Sequence, residues 1–231
     1  MSDLAANVES ALRALDGYGQ AEAYGLESVI HTVYVDGTRI SNIETKRESG
    51  LMVRMADGGR QGKSSVTIGG DSSVRECVRM AEAVIRHSPE GPAVRYADSG
   101  SAKISDPGVW DRRVEDVIPD VLREMAQRLI DSCGVDIPRA QIRVSTNVSR
   151  VMNSNGVDVG HRSTLVYGHF TSMFRGEQPG EGVETFHGTH LDIPIEDIGA
   201  SLARQARDSA SAKGFEGHES LSMILPPGQL G

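Results

Sequence analysis

The chain has 231 residues, 38% of them hydrophobic and 24% charged, which is ordinary for a globular protein and allows one large domain or two small ones. Its formal net charge of −8 and its lack of any basic block argue against binding to nucleic acid or to an anionic membrane, because both need clustered Lys and Arg. No apolar run reaches the roughly 20 residues that cross a bilayer, and no signal peptide is recognisable, so a cytoplasmic protein is predicted.

The first half of the chain is predicted to be a helix, an antiparallel meander and a second helix. Apolar residues at helical spacing predict a helix over residues 2–16. Alternating and β-branched residues, punctuated by Asp-Gly turns, then predict four strands within residues 20–68. An apolar stripe predicts the second helix from about residue 71, with its end near Pro89.

The second half repeats this order of elements. A helix is predicted over residues 112–133, ended by Gly134. Three strands are predicted over residues 140–153, 157–174 and 183–191, with a hairpin turn at Asn155-Gly156 between the first two. The last helix is predicted over residues 194–213. The predicted fold class is therefore α+β, with two helix–meander–helix modules related by a structural duplication.

The domain prediction follows from these modules and from a stretch rich in Pro, Gly and Ser. The first module is predicted over residues 1–97, a linker over 98–110 and the second module over 111–215. Residues 216–231 include the apolar run LSMILPP, which predicts the first strand of a further, carboxy-terminal domain.

Candidate metal and thiol chemistry is sparse in the sequence. His187 and His190 are three positions apart, so on a strand they point to opposite faces, and they need a turn, with His169 and Asp192, to form a metal site. The two cysteines, Cys77 and Cys133, form no CxxC motif and are predicted to be reduced, buried thiols.

Two further motifs fail on inspection of their spacing. His218-Glu219 lacks the second His that a zinc-peptidase helix needs, since Ser222 and Met223 stand at the two possible positions. The run from Gly59 to Ser65 imitates the end of a P-loop without its glycine spacing, and it lies between two predicted antiparallel strands. From its residues alone the chain is a pair of α+β domains with no visible catalytic centre.

Five stretches, taken in chain order, resemble the TldD/PmbA metallopeptidase family, also called modulators of DNA gyrase. They lie at residues 21–62, 105–111 (SDPGVWD), 151–159 (VMNSNGVDV), 196–212 and 221–231. The family's Asn-Ser-x-Gly hairpin matches Asn153, Ser154 and Gly156, and its Ile-Gly helix places Gly199. These four positions are structural in the resemblance, and the chain is more similar to the PmbA branch than to the TldD branch.

The resemblance implies a non-catalytic amino-terminal half of a zinc metallopeptidase assembly that degrades or matures peptides. It implies a homodimer, or a heterodimer with a TldD-type zinc subunit, and an unfolded peptide as substrate. This half would supply chamber wall, dimer contacts and peptide guidance by strand addition. Zinc is expected only in a TldD-type carboxy-terminal half or partner, where an H-E-x-x-x-H helix holds it. No catalytic, cofactor or metal residue is therefore assigned to this chain.

Three hypotheses remain open at this point. The chain is either part of such an assembly or a free-standing peptide- or protein-binding module that works without a catalytic partner. A third hypothesis makes it an enzyme that uses His169, His187 and His190 together with an acid.

Overall fold

A computed structural model of the chain describes residues 4–99, 108–214 and 217. Over these residues five helices and six strands are formed, which confirms the predicted α+β class. The helices are α1 (Leu4–Ala14), α2 (Asp71–His87), α3 (Arg112–Glu115), α4 (Pro119–Cys133) and α5 (Ile195–Ala210). The strands are β1 (Gln20–Gly37), β2 (Arg39–Asp57), β3 (Arg60–Thr67), β4 (Asp136–Asn153), β5 (Asp158–Arg175) and β6 (Pro179–Gly188).

The strands form one sheet in the order β3-β2-β1-β4-β5-β6. The edge strand β3 pairs antiparallel with the last part of β2, from Gly50 opposite Thr67 to Asp57 opposite Arg60. The other edge strand, β6, pairs antiparallel with the last part of β5, from Val166 to Arg175. The first half contributes α1, three strands and α2, and the second contributes α3, α4, three strands and α5. The duplication itself stays a prediction.

Contacts divide the chain into two compact units. The first comprises Met1–Ile30, Thr45–Glu115 and Ser145–Thr164, and the second comprises His31–Glu44, Asp116–Val144 and Leu165–Gly231. These units are interleaved along the chain because β1, β2, β4 and β5 each contribute residues to both. The boundaries predicted from the sequence follow the chain order instead, and they stay predictions.

The core of the first unit lies between α1 and α2 and one face of β1–β3. Its members are apolar side chains at helical spacing on the helices and at alternate positions on the strands. They include Val8, Leu15, Leu51, Val53, Met55, Cys77 and Ala81. In the second unit α5 packs on both β6 and α4, and the most buried side chains include Leu122, Leu129, Phe170 and Leu202.

Glycines allow the closing helix of each half to lie directly on the edge strand. A Cβ built on Gly62 of β3 would lie 2.9 Å from Cβ of Ile85 and 3.0 Å from its backbone nitrogen. On β6 a Cβ at Gly180 would lie 2.8 Å from Cα of Ala210. Since real Cβ atoms do not approach so closely, only glycine permits this helix–strand distance.

Two predicted elements differ from the structure. The second and third predicted strands are one continuous strand, β2, because the charged residues that separated them lie exposed on an extended edge, where charges are well tolerated. The helix predicted over 112–133 is two helices, α3 and α4. Pro119 disfavours helical dihedrals at the residue before it, and Ile118 is accordingly extended, with φ −107° and ψ 158°. No helix within the described ranges is long and apolar enough to cross a membrane.

Candidate functional site

The turn between β4 and β5 carries three of the four residues that the sequence singled out. Asn153 is 3% exposed, and its Oδ1 accepts hydrogen bonds from the backbone N–H of Asn155 and of Val157, both at 3.0 Å. Gly156 has a φ of 85°, in the left-handed region, and completes the turn. The side chain of Asn153 thus holds the backbone of the turn, as Asn does in Asx turns.

The same turn binds the start of β1. The backbone N–H of Ser154 donates to the carbonyl of Ala21 at 2.8 Å, and the N–H of Ala21 donates to Ser154 Oγ at 3.0 Å. This reciprocal pair fixes the hairpin on the neighbouring strand.

The turn also holds the segment that follows α2, which the sequence predicted to lead into a linker. Asn153 Nδ2 donates to the carbonyl of Ala97 at 2.8 Å. Asn155 Nδ2 donates to the carbonyl of Tyr96 and to Gln20 Oε1, each at 3.0 Å. Gln20 Oε1 in turn accepts from the N–H of Tyr96 at 2.9 Å. We call Gln20, Tyr96, Asn153 and Asn155 the turn lock.

Tyr96 continues this arrangement through its ring. It is 5% exposed, and the guanidinium of Arg54 lies 4.4 Å from the ring centroid. Arg54 Nε donates to Glu22 Oε1 at 2.7 Å, and this hydrogen bond raises the pKa of Arg54. Burial raises the pKa of Tyr96 as well, so the phenol is neutral at physiological pH. The sequence did not predict that Gln20, Tyr96 and Arg54 take part in this arrangement. The one available signal was a single Tyr in a stretch rich in Pro and Gly.

The first part of β5 lies beyond the reach of β6, and residues 109–111 contact it at Thr164 and Arg162. The N–H of Thr164 donates to the carbonyl of Val109 at 2.8 Å, as between paired strands. Next to it the guanidinium of Arg162 stacks 3.9 Å from the centroid of the Trp110 ring. Buried Asp111 accepts from Arg113 at 2.8 Å. Val109, Trp110 and Asp111 of this motif therefore contact β5 within the first unit.

The corresponding part of β2, in the second unit, has no such cover in the described part of the chain. β3 pairs with β2 only from Gly50 onward, so residues 39–48 have no strand on their outer side there. A groove of about 630 Å³ is lined by residues 38–43 and by Arg123 and Gln127 of α4. We call it the β2 edge groove. A strand edge beside a helix is the geometry in which recognition domains bind extended peptides.

Gly199, the fourth residue singled out by the sequence, lies where α5 crosses α4. A Cβ at this position would lie 2.9 Å from Cβ of Ser132 and 3.1 Å from the backbone nitrogen of Cys133. Glycine therefore allows the two helix backbones to approach closely. This contact between α4 and α5 is compatible with the predicted structural role of Gly199, which stays a prediction.

The histidines proposed as an alternative catalytic cluster lie on or after the β5–β6 pair. His169 is opposite Thr185 and His187 is opposite Tyr167, whose ring meets the imidazole edge-on at 5.0 Å. His190 lies beyond the end of β6, where Nδ1 is 2.9 Å from Thr189 Oγ1. In the described part of the chain no three His, Cys, Asp or Glu side chains lie close enough together to hold a metal ion. His169, His187 and His190 therefore do not fit a zinc site.

The P-loop-like run from Gly59 to Ser65 forms the β2–β3 turn and the edge strand β3, and not a strand-to-helix loop. Cys77 and Cys133 are free and buried, and burial raises the pKa of both thiols. His218-Glu219 and the run LSMILPP lie outside the described residues.

Sequence comparison places these elements in a family. Residues 21–85 match the model of PmbA/TldA metallopeptidase domain 1, and residues 107–210 match the PmbA/TldA metallopeptidase central domain. No curated protein sequence matches the chain. The two matched regions cover most of the chain and contain Asn153, Asn155, residues 109–111, the β2 edge groove and Gly199. Gln20 and Tyr96 of the turn lock lie outside them.

Solved structures share the fold at low sequence identity. TldE from Thermococcus kodakarensis superposes with a TM-score of 0.78 at 17% identity, over 87% of this chain and 47% of that one. A suggested modulator of a DNA gyrase from Thermotoga maritima gives 0.74 at 15% identity, over 87% and 47%. Another from Bacteroides thetaiotaomicron gives 0.77 at 15% identity, over 90% and 50%.

The chain thus spans about half the length of these solved relatives. The superpositions support the fold, while the two domain matches identify the sequence. The chain belongs to the PmbA/TldD metallopeptidase family, of which it carries the first and central domains.

Proposed function

We propose that this chain is the non-catalytic amino-terminal part of a PmbA/TldD-type peptidase assembly and that it guides extended peptides along the β2 edge groove. Chamber wall and dimer contacts, with a second copy or with a TldD-type zinc subunit, belong to the same proposal. Two buried free thiols fit a reducing compartment, which supports placing this role in the cytoplasm.

The observation that carries peptide guidance is the contrast between two strand edges of the same chain. On β5 the backbone N–H of Thr164 donates to the carbonyl of Val109, so another part of the chain contacts that edge. On β2 a groove takes the place of such a segment within the described ranges. An extended peptide fits the groove because its backbone groups can pair with the strand edge whatever its side chains are.

The walls of the groove fit a peptide backbone without selecting one side chain. Arg123 is paired with Asp120, three residues earlier on α4, and Gln127 Nε2 donates to Asp131 Oδ1 at 2.8 Å. One polar group of each side chain is thus already bonded within α4, which leaves the aliphatic stems to contact a peptide. Recognition through the strand edge predicts weak dependence on peptide sequence.

Backbone pairing is tested with a fluorescently labelled peptide of alternating Thr and Ala and with its analogue N-methylated at alternate residues. Each lost hydrogen bond is worth about 0.5–1.5 kcal/mol, so three methyl groups should weaken binding by roughly tenfold or more. Fluorescence anisotropy measures both affinities on the same protein. Equal affinities for the two peptides would exclude strand addition.

The location is tested with the double variant Arg123→Ala, Gln127→Ala, which removes the helix wall of the groove. Binding of the unmethylated peptide should weaken, because the groove loses the stems that border the peptide. Arg79→Ala is the matched control, since Arg79 is also an exposed helix residue paired with an acid three positions earlier. If the control variant weakens binding as much as the double variant, the peptide does not occupy this groove.

A free-standing binding module is the second candidate, since residues 38–43, Arg123 and Gln127, which line the groove, all lie in the second unit. Affinity purification of the native protein from its source cells, followed by zinc analysis, separates the two. Recovery of a zinc-containing subunit supports the peptidase assembly. Peptide binding without any such subunit supports the free-standing module.

A further inference from the structure

The turn lock contains a chemically labile pair, Asn155 followed by Gly156. An Asn side chain is attacked most readily by the backbone nitrogen of the next residue when that residue is glycine, because glycine has no side chain to obstruct the approach. The sequence places this pair in a turn, and the structure shows what restrains it. This inference is independent of the proposed peptide function.

Both reacting groups of the pair are held by hydrogen bonds. The attacking group, the N–H of Gly156, donates to the carbonyl of Asn153 at 3.2 Å. The amide that would be attacked is held at both ends: Nδ2 bonds Gln20 and Tyr96, and Oδ1 accepts from Gln20 Nε2 at 3.3 Å. While these bonds persist, the side chain of Asn155 is turned toward the lock and not toward its own backbone.

We propose that Asn155 is a deamidation site whose reaction is controlled by opening of the turn lock. On opening, the deprotonated backbone nitrogen of Gly156 attacks Cγ of Asn155, a C–N bond forms, and the side-chain nitrogen leaves as ammonia. Water then opens the resulting succinimide at either carbonyl to give aspartate or isoaspartate. No electron is transferred, and water is the only co-reactant.

The product does not fit the lock that the asparagine closed. A carboxylate at position 155 has no N–H to donate, so its oxygens face the carbonyl of Tyr96 and Gln20 Oε1, which are both acceptors. Like partners at hydrogen-bond distance repel, so the bonds that Asn155 Nδ2 donates are lost, while Asn153 Nδ2 still donates to the carbonyl of Ala97. Deamidation therefore loosens the segment that carries Tyr96, and the modified residue marks chains in which the lock has opened.

Asn153 provides an internal comparison within the same turn. It precedes Ser154, so its backbone neighbour is more obstructed than glycine, and it is 3% exposed with its Oδ1 and Nδ2 bonded to three partners. The structure therefore places the reaction at Asn155 and not at Asn153.

The reaction is measured on the full chain, incubated at mildly alkaline pH and then digested with trypsin. Trypsin releases residues 151–162 as one peptide, and mass spectrometry detects the exchange of NH for O and locates it. Gln20→Ala removes three bonds of the lock and leaves both reacting residues, Asn155 and Gly156, unchanged, and it should speed deamidation roughly tenfold. Chain unfolded in urea should react faster than either folded form.

Gln61→Ala is the matched control, an exposed glutamine on β3, and it should leave the rate unchanged. The product is mimicked by Asn155→Asp, in which amides 96–99 should exchange hydrogen faster than in the parent. A Gln20→Ala rate equal to that of the parent, or modification at Asn153 instead, would overturn control by the lock. Unchanged exchange in Asn155→Asp would overturn the opening of the segment.

Discussion

Gly199 on α5 lies against Ser132 on α4, so close that a Cβ at Gly199 would stand 2.9 Å from Cβ of Ser132. In an isolated helix a glycine costs about 1 kcal/mol relative to alanine, so its presence in the middle of α5 opposes helix formation. Close approach of two helix backbones explains it, and that approach buries Leu129 and Leu202 in the second unit.

Gly199→Ala should therefore lower the free energy of unfolding by about 1–3 kcal/mol, against the gain expected from helix propensity, because the added methyl group forces α4 and α5 apart. Denaturant unfolding measures the change. Ala200→Gly at the neighbouring exposed position should cost only about 1 kcal/mol. If Gly199→Ala is as stable as the parent chain, the close crossing is not present in solution.

Gly62→Ala should separate α2 from β3 in the first unit. The added Cβ would lie 2.9 Å from Cβ of Ile85, so we expect a loss of about 1–3 kcal/mol and earlier thermal unfolding. Gly50→Ala on β2 is the matched control, because the nearest atom to its Cβ, the carbonyl oxygen of Val66, is 3.9 Å away. Equal melting temperatures for the two variants would contradict this account.

Asn153→Ala should destabilise the β4–β5 turn. The substitution leaves the N–H groups of Asn155 and Val157 and the carbonyl of Ala97 without their side-chain partner, which is expected to cost about 2–3 kcal/mol in total. Chemical unfolding measures the loss, and Asn42→Ala at an exposed position of β2 is the control. A change below about 0.5 kcal/mol would mean that water replaces these bonds at no cost.

The stability of the chain should decline in alkaline solution. Burial raises the pKa of the Cys77 thiol above its ordinary value of 9.0, and it raises that of Cys133 in the same way. A group whose pKa is higher in the folded state contributes stability that is complete below the unfolded pKa and is lost as pH rises through the folded pKa. The free energy of unfolding should thus be constant near neutral pH and fall above about pH 9.

This pH dependence is checked by unfolding the reduced chain in denaturant at several pH values between neutral and strongly alkaline. The double variant Cys77→Ser, Cys133→Ser keeps side chains of similar size that do not titrate in this range, so its decline should be shallower. An identical decline in parent and variant would assign the effect to other groups, such as Tyr96, whose pKa burial also raises.

The order and type of the elements could be predicted from the sequence, because apolar periodicity is a local property. Leu4, Val8 and Ala11 recur at helical spacing and are buried as predicted, and Gly134 ends its helix with a φ of 63°. The family resemblance carried by the Asn153–Gly156 turn and by Gly199 was likewise visible, and the domain matches confirm it. The break between α3 and α4 was not predicted, although Pro119 lies within the predicted helix and disfavours helical dihedrals at Ile118.

The tertiary structure alone decided which residues meet across long stretches of chain. Tyr96 lies at the end of the predicted first module, just before the predicted linker, yet it joins Gln20, Arg54 and Asn155 because the strands bring residues distant in sequence together. The same holds for the contact of Val109 with β5 and, within the described ranges, for the unpaired edge of β2. Local sequence determines whether a strand forms, but backbone hydrogen bonds carry no side-chain identity, so only the packed fold decides which edge is covered.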